Sequence, residues 1–524
     1  MSAARRAAGI APAGSMRNWP RCRRALLIAA ALVLGAAGMP MAAAQEPVWP
    51  TQGWRTSTPE AQGLDSDALA EALDHVRDHG TRIHSLTIVR HGRIVLDAYF
   101  WPFQNGQVHD LASVTKAVTT TLAGIAVGQA AFTGMSQTLA SIFDGRAMAH
   151  LDERKRRLTL QHLMSMTAGL DCHAEPAEAT LWQMRSSQDW TQFMLDLPMR
   201  DEPGSRFEYC SGGMHLLSSA ITRATGVSAL EFARRELFAP LGIGHAEWPA
   251  DAQGISFGWG DLRLQPRDMA KLGYLWLNNG RWEGRQIVPK DWMEAAVQPQ
   301  AQPPNSRQQY GYGLWLHADR QPPEFEAVGR GGQRIAVVPD KGLVVVFTGG
   351  SFEPGEIGPF IWRALKSDRP LPENPAGAAR LAAAVSAAAL PPRPAAFVPA
   401  LAQRVSGRHY RLEANPLDLK SLVLRFKRSG SAELELQIGD RRDGPRPIGL
   451  DGVARVSAGG PSGLPVAVSG AWLGEDSLRI DYDEVGAINA YRILLRFTGK
   501  DVEVSLSERT QLIPQTRFRG TSSR

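Results

Sequence analysis

Apolar side chains recur every three or four positions across residues 65–79, where Leu69, Leu73 and Val76 share one face and Gly80 ends the run. That period predicts a helix. Two runs of strand character follow, 83–90 and 93–100, joined at His91-Gly92, so a hairpin is expected there. Helical spacing returns at 113–127, where Val114, Val118, Leu122 and Ile125 are interleaved with small residues, and this helix should pack one apolar face on the core. Residues 130–305 mix several helical patterns with many Gly, Pro and Trp, which suggests a helical insertion. Near its end a helix begins at Pro266, a good first-turn proline, and runs to about Leu277. A second hairpin, 335–338 with 343–348 around Pro339-Asp340-Lys341-Gly342, and a helix near 357–366 close this part of the chain. Strands at both ends with helices between predict an α+β sandwich around a mainly antiparallel sheet.

Beyond residue 368 the texture changes. Residues 370–399 are rich in Ala and Pro and predict a linker carrying one helix. Strict alternation then appears at Leu434, Leu436 and Ile438, at Leu478, Ile480 and Tyr482, at Tyr491, Ile493, Leu495 and Phe497, and at Val502, Val504 and Leu506. Period-two patterning broken by Gly and Pro turns predicts a small all-β meander or barrel. The expected organisation is a leader over 1–44, a first domain over 45–368, a linker over 369–400 and an all-β domain over 401–524. No catalytic constellation is evident in the last.

Length supports that division, because 524 residues exceed what one core usually holds. The first 44 residues carry six arginines and no acid, then an apolar run over 25–37 and the triplet Ala42-Ala43-Ala44. These are the parts of a secretory signal cut after Ala44, with Met16 as an alternative start; the apolar run is short for an uncleaved anchor. Cys22 precedes the apolar run, which argues against a lipid-anchored form. Without the leader the 58 basic residues fall to 52, equal to the 52 acids, so the remainder is formally neutral and carries no nucleic-acid footprint. An exported chain, periplasmic or secreted and without a lasting membrane anchor, meets conditions in which its two remaining cysteines, Cys172 and Cys210, can oxidise. A disulfide between them would pin the loop at Tyr209, two buried free thiols being the alternative.

Candidate chemistry starts at Ser113-Val114-Thr115-Lys116. Positions i and i+3 on a helix set the hydroxyl beside the amine, and Lys116 is the only lysine with a serine three positions before it. A serine hydroxyl needs a base to become a nucleophile, which a partly dry lysine can supply, and a helix start aims backbone N–H groups at developing negative charge. Tyr209, in Phe207-Glu208-Tyr209-Cys210-Ser211-Gly212-Gly213, would relay protons if its phenol sat beside the ammonium, with a depressed pKa. In Gly329-Arg330-Gly331-Gly332-Gln333 the glycines let substrate lie along a strand edge, and the Gln333 N–H would complete an oxyanion hole with that of Ser113. Gly254-Ile255-Ser256-Phe257-Gly258 also fits a nucleophile-elbow pattern, but no apolar strand precedes it and no helix follows. The histidines show no metal-ligand spacing, so neither a metal nor another cofactor is expected.

The order S-x-x-K, then Tyr-x-Ser about 95 residues on, then Arg-Gly-Gly before a hairpin resembles the β-lactamase-related serine hydrolases. That superfamily includes class C β-lactamases, D-alanyl carboxypeptidases, family VIII-type esterases and 6-aminohexanoate-oligomer hydrolases. The stretches 159–170, Pro240-Leu241-Gly242-Ile243 and Pro266-Arg267-Asp268-Met269-Ala270 carry the same likeness, which covers about residues 55–368. It implies an antiparallel sheet flanked by helices with an inserted helical subdomain, Ser113 as acyl-enzyme nucleophile, and Lys116 with Tyr209 as the activating pair. Two departures stand out: Ser211 where the β-lactamases have Asn, and Arg330-Gly331-Gly332 where they have Lys-Thr-Gly. These favour small esters or amides as substrates, with Ser211, Arg330, Gly331, Gly332 and Gln333 lining their site, and Arg330 free to fork onto a carboxylate. A penicillin-recognising peptidase or β-lactamase, and a non-catalytic sensor on the same fold, are the competing readings.

Overall fold

Strand Leu343–Gly349 is apolar at almost every position because the central sheet to which it belongs is covered on both faces. The computed structural model describes residues 49–173, 178–392, 397–427, 431–511 and 513–523. The proposed leader, its cleavage site and Cys22 lie outside them. Eight strands form this sheet: β1 (Arg55–Thr56), β2 (Ile83–Arg90), β3 (Arg93–Tyr99), β4 (Gln309–Tyr310), β5 (Trp315–His317), β6 (Glu324–Gly329), β7 (Gln333–Val338) and β8 (Leu343–Gly349). Their order is β1-β3-β2-β8-β7-β6-β5-β4, antiparallel throughout except for the β1–β3 pair.

Alternation along β8 divides the core. Val344 and Val346 face α2 (Val114–Gly128) and α4 (Pro266–Leu277), whereas Val345 and Phe347 face α1 (Ser66–His79) and α5 (Gly358–Ala364). Asp65 caps α1 by accepting the Asp67 N–H at 2.9 Å, and Gly80 ends it at φ 63°. Between α2 and α4 lies the helical insertion, whose longest member is α3 (Ser211–Thr225). The α+β architecture read from periodicity is the one observed. The Ala/Pro-rich stretch departs from a plain linker, because its helix α6 (Pro375–Ala388) buries Leu381 and Ala384 beside α1 and pairs Arg380 with Asp67 and Asp74.

The C-terminal residues form a ten-stranded antiparallel sheet: β9 (His409–Leu412), β10 (Leu419–Phe426), β11 (Ala432–Ile438), β12 (Arg441–Ile448), β13 (Arg455–Ser457), β14 (Val466–Trp472), β15 (Ser477–Glu484), β16 (Ala490–Thr498), β17 (Asp501–Glu508) and β18 (Thr516–Ser523). The order β12-β11-β10-β9-β18-β17-β16-β15-β14-β13 curls until Gly449, just after β12, bridges to Ser469 on β14, so the barrel is nearly closed. Alternate residues such as Leu434, Ile480, Leu495 and Val504 fill it. A small apolar contact of Tyr99, Phe103, Ala467 and Val485 joins barrel to sheet. No helix among the described residues is long and apolar enough to cross a membrane.

Candidate active site

Ser113 is the residue just before the first turn of α2, and three positions on, Lys116 is 1% exposed. The i,i+3 geometry brings the Lys116 Nζ to 2.8 Å from the Ser113 Oγ, to which it donates. A second Nζ–H donates to the Trp259 carbonyl at 2.9 Å. The stretch that supplies this carbonyl is stitched to α2 by its own threonines: the Thr119 hydroxyl donates to Gly258 O at 2.8 Å, and the Thr115 hydroxyl accepts from Leu262 N–H at 3.3 Å. Trp259 is held on its other side by Phe257, stacked at 4.7 Å, and by the edge of His215 at 5.4 Å. Sequence reading had no signal for Trp259, because any residue type carries a carbonyl. The neighbouring Ser256 is 1% exposed, and its hydroxyl accepts from Leu230 N–H at 3.2 Å, a structural duty.

Tyr209 arrives from the loop before α3, and the Lys116 Nζ lies 4.8 Å from its ring centroid. The contact is made through the ring face, not through the phenol oxygen as expected from sequence. Trp315 sets that orientation by stacking on Tyr209 at 6.4 Å and 25°. The loop is also fixed by a disulfide between Cys172 and Cys210, both buried, with Cα atoms 5.9 Å apart. The Cys210 Sγ accepts the Gly213 N–H at 3.3 Å and so caps α3. Ser211, first residue of that helix, is 2% exposed, and its hydroxyl is buried without a hydrogen-bond partner.

Just ahead of the nucleophile candidate, Ala112 sits in the left-handed region at φ 44°, held by its N–H, which donates to the Asp110 Oδ1 at 2.8 Å. This turn leaves the Ser113 backbone N–H without an acceptor among the described residues. Burial, with Asp261 close by, pushes the Asp110 carboxyl up to about 7, and burial raises Asp261 as well. The Asp110 carbonyl accepts from His109 Nδ1 at 2.7 Å, and burial lowers His109 to about 4.

The glycine-rich turn is placed differently from expectation. Its strand entry does reach the site: Gly329 backs so closely on Leu111 that a Cβ there would lie 2.5 Å from the Leu111 carbonyl. Gln333 begins β7 opposite Gly329, and its side-chain amide is spent inside the sheet, donating to Gly349 O at 2.6 Å and accepting from Gly349 N–H at 3.0 Å. Arg330 is held by two side chains of the barrel, while its charge still bears on Asp110 and Asp261. Its guanidinium donates to Asn489 Oδ1 at 2.6 Å and to the Thr510 hydroxyl, both on the barrel. Both partners are uncharged, so the guanidinium charge is not neutralised by them.

One further polar group lies at the sheet's other end. His317, Glu324 and Glu326 bring potential ligand atoms within 4.8 Å of one another, but Arg320 pairs with Glu324, and Arg334 with Glu326 at 3.0 Å. Both carboxylates are already neutralised, so the set fits a buried ion-pair network better than a metal centre.

Comparison with known proteins gives a consistent result. A family profile described as Beta-lactamase matches residues 67–367, more than half of the chain. A 6-aminohexanoate-dimer hydrolase from Paenarthrobacter ureafaciens is 23% identical over 256 residues, 46% of this chain and 64% of that protein. A lovastatin esterase from Penicillium rubens is 25% identical over 211 residues, 36% of this chain and 51% of that protein. The chain thus spans between half and two thirds of these relatives. A Bacillus anthracis protein provisionally named a 6-aminohexanoate-dimer hydrolase superposes with a TM-score of 0.50 at 21% identity, over 60% of this chain and 87% of its own.

Proposed function

Because the chain belongs to the beta-lactamase family, we propose that it is a serine hydrolase that cleaves small esters or amides through an acyl-enzyme on Ser113. The observation that carries the reading is the 2.8 Å contact between Ser113 Oγ and a lysine shut away from solvent at a helix start. In its neutral form the Lys116 amine takes the hydroxyl proton as Oγ bonds to the substrate carbonyl carbon. The carbonyl oxygen becomes an oxyanion against the Ser113 and Gln333 N–H groups, helped by the N-terminus of α2. Collapse expels the alcohol or amine, which leaves with the proton held by Lys116. Water then repeats the sequence on the acyl-enzyme. Tyr209, whose ring lies 4.8 Å from the Lys116 Nζ, is assigned as the relay that passes the proton from Lys116 to the leaving group.

Two relatives support this substrate range, one named for an amide substrate and one for an ester. Arg330 keeps its charge beside two neutral partners, Asn489 and Thr510, so the preference for esters and small amides rests on those relatives and on Ser211 standing where the β-lactamases have Asn. Hydrolysis of p-nitrophenyl acetate by the purified protein, abolished in Ser113→Ala, is the expected result. Undiminished turnover in that variant overturns the proposal, and covalent capture of a fluorescent penicillin would favour the peptidase reading. We also propose that residues 1–44 direct export; N-terminal sequencing of the expressed protein should begin after Ala44.

A further inference from the structure

The turn that joins β15 to β16 in the barrel, residues 485–489, touches both backbone segments that bracket Ser113. On one side, the Gly486 carbonyl accepts the Asp110 N–H at 2.8 Å. Gly486 has φ 94°, and a Cβ there would stand 2.3 Å from the Val108 carbonyl, so the approach requires glycine. Asp110 in turn holds Ala112 through its carboxylate, and Ala112 leads directly into Ser113. On the other side, Ile488 is 1% exposed and packs on Gly331, where an added Cβ would lie 2.4 Å from the Ile488 Cγ2. Asn489 and Thr510 hold Arg330, and Thr510 is itself fixed by donating to Glu508 at 2.7 Å. Arg82 adds an outer tie, pairing with Asp483 at 3.5 Å and donating to Gly350 O at 2.9 Å.

From this juxtaposition we infer that the 485–489 turn is a positioning element of the hydrolase site. It sets the spacing between the Asp110–Ser113 segment and the Arg330–Gln333 entry to β7, and Ile488 is the residue through which it acts. Those segments carry the two backbone N–H groups assigned to the oxyanion, and such donors work only when held within a few tenths of an ångström. A misplacement of about 1 Å costs on the order of 100-fold in rate. The barrel is therefore a part of the catalytic half's geometry, and Arg330 serves as a tether between the two. This inference rests on the reading of Ser113 as nucleophile.

The test uses the full chain. Ile488→Ala opens the contact with Gly331, Ile488→Val keeps most of it, and Asn489→Ala removes one of the two bonds that hold Arg330 without emptying the core. Expected for p-nitrophenyl acetate is a kcat lower by about tenfold or more in Ile488→Ala with KM within twofold, since the transition state alone is affected. Ile488→Val should recover to within about threefold of the parent, and Asn489→Ala should lose several-fold in kcat. The labelling rate of Ser113 by a fluorophosphonate should fall in parallel. Should Ile488→Ala fail to fold, Asn489→Ala and Thr510→Val decide the matter. A parent-like kcat in the folded variants overturns the inference, as does a loss that Ile488→Val fails to reverse. Turnover that survives Ser113→Ala would instead overturn the functional reading, so the two failures are told apart.

Discussion

Removing the link between Cys172 and Cys210 offers the sharpest quantitative test of the structure. The two residues are 38 positions apart, and closing a loop of that length in the unfolded chain is worth about 4 kcal/mol by the chain-entropy relation. Cys172→Ala with Cys210→Ser breaks the bond while keeping a good first cap on α3, because a serine hydroxyl accepts from the Gly213 N–H as the sulfur does. With unfolding entropy of about 2.1 cal/mol/K per residue over roughly 300 residues of the hydrolase domain, that loss lowers the melting temperature by about 6 °C. Thermal unfolding followed by circular dichroism, on the parent with and without reductant and on the double variant, should give two coincident low curves and one high one. Activity should fall too, because Tyr209 adjoins Cys210 and loses its anchor. Two freely alkylated thiols in the unreduced parent, or melting indifferent to reductant, would refute the reasoning.

Asp110→Asn keeps the acceptor for Ala112 but removes a carboxyl raised to about 7 from an unfolded value near 4. Between those limits the folded chain binds the extra proton, so this group's contribution to stability is present below about pH 4 and fades as pH rises to 7. His84 and His109, lowered by burial, act with the opposite sign below about 6.5, so the measurement is the parent-minus-variant difference in urea midpoint across pH 4–8. A flat difference would remove Asp110 as the cause. Gly258→Ala places a Cβ 2.0 Å from the Met214 carbonyl and should cost about 1–3 kcal/mol in urea unfolding while displacing the Trp259 carbonyl from Lys116. A destabilised variant with unaltered kcat would show that Lys116 does not need that acceptor.

Much of the framework was legible along the chain, for reasons that differ from element to element. Helices α1 and α4 announce themselves through the Asp65 cap and the first-turn Pro266. By contrast α2, expected to bury one apolar face, is buried on every side from Val114 to Ala126 and carries no side-chain cap, so its threonines and Lys116 lie inside as well. β8 reads as an unbroken apolar run because both its faces are covered. β12 was harder to see, since its Gly444-Pro445 interrupts the alternation that marks its neighbours. In the site, Ser113 and Lys116 were legible because their contact is local, set by helical pitch. The Lys116 acceptor on Trp259 was not, being a backbone atom from 143 residues away. Nor was the fate of Arg330, whose side chain pattern suits a substrate carboxylate equally well until residues of the barrel are folded beside it.

That last tie has a consequence for how the molecule is made. Arg330 and Thr510 are 180 residues apart, so at typical translation speeds Arg330 is synthesised about 10 to 40 s before its partner exists. A nascent hydrolase half that folded early would wait through that interval with the entry to β7 unbraced, and its maturation is timed by the arrival of the barrel residues, long after the nucleophile itself has been laid down.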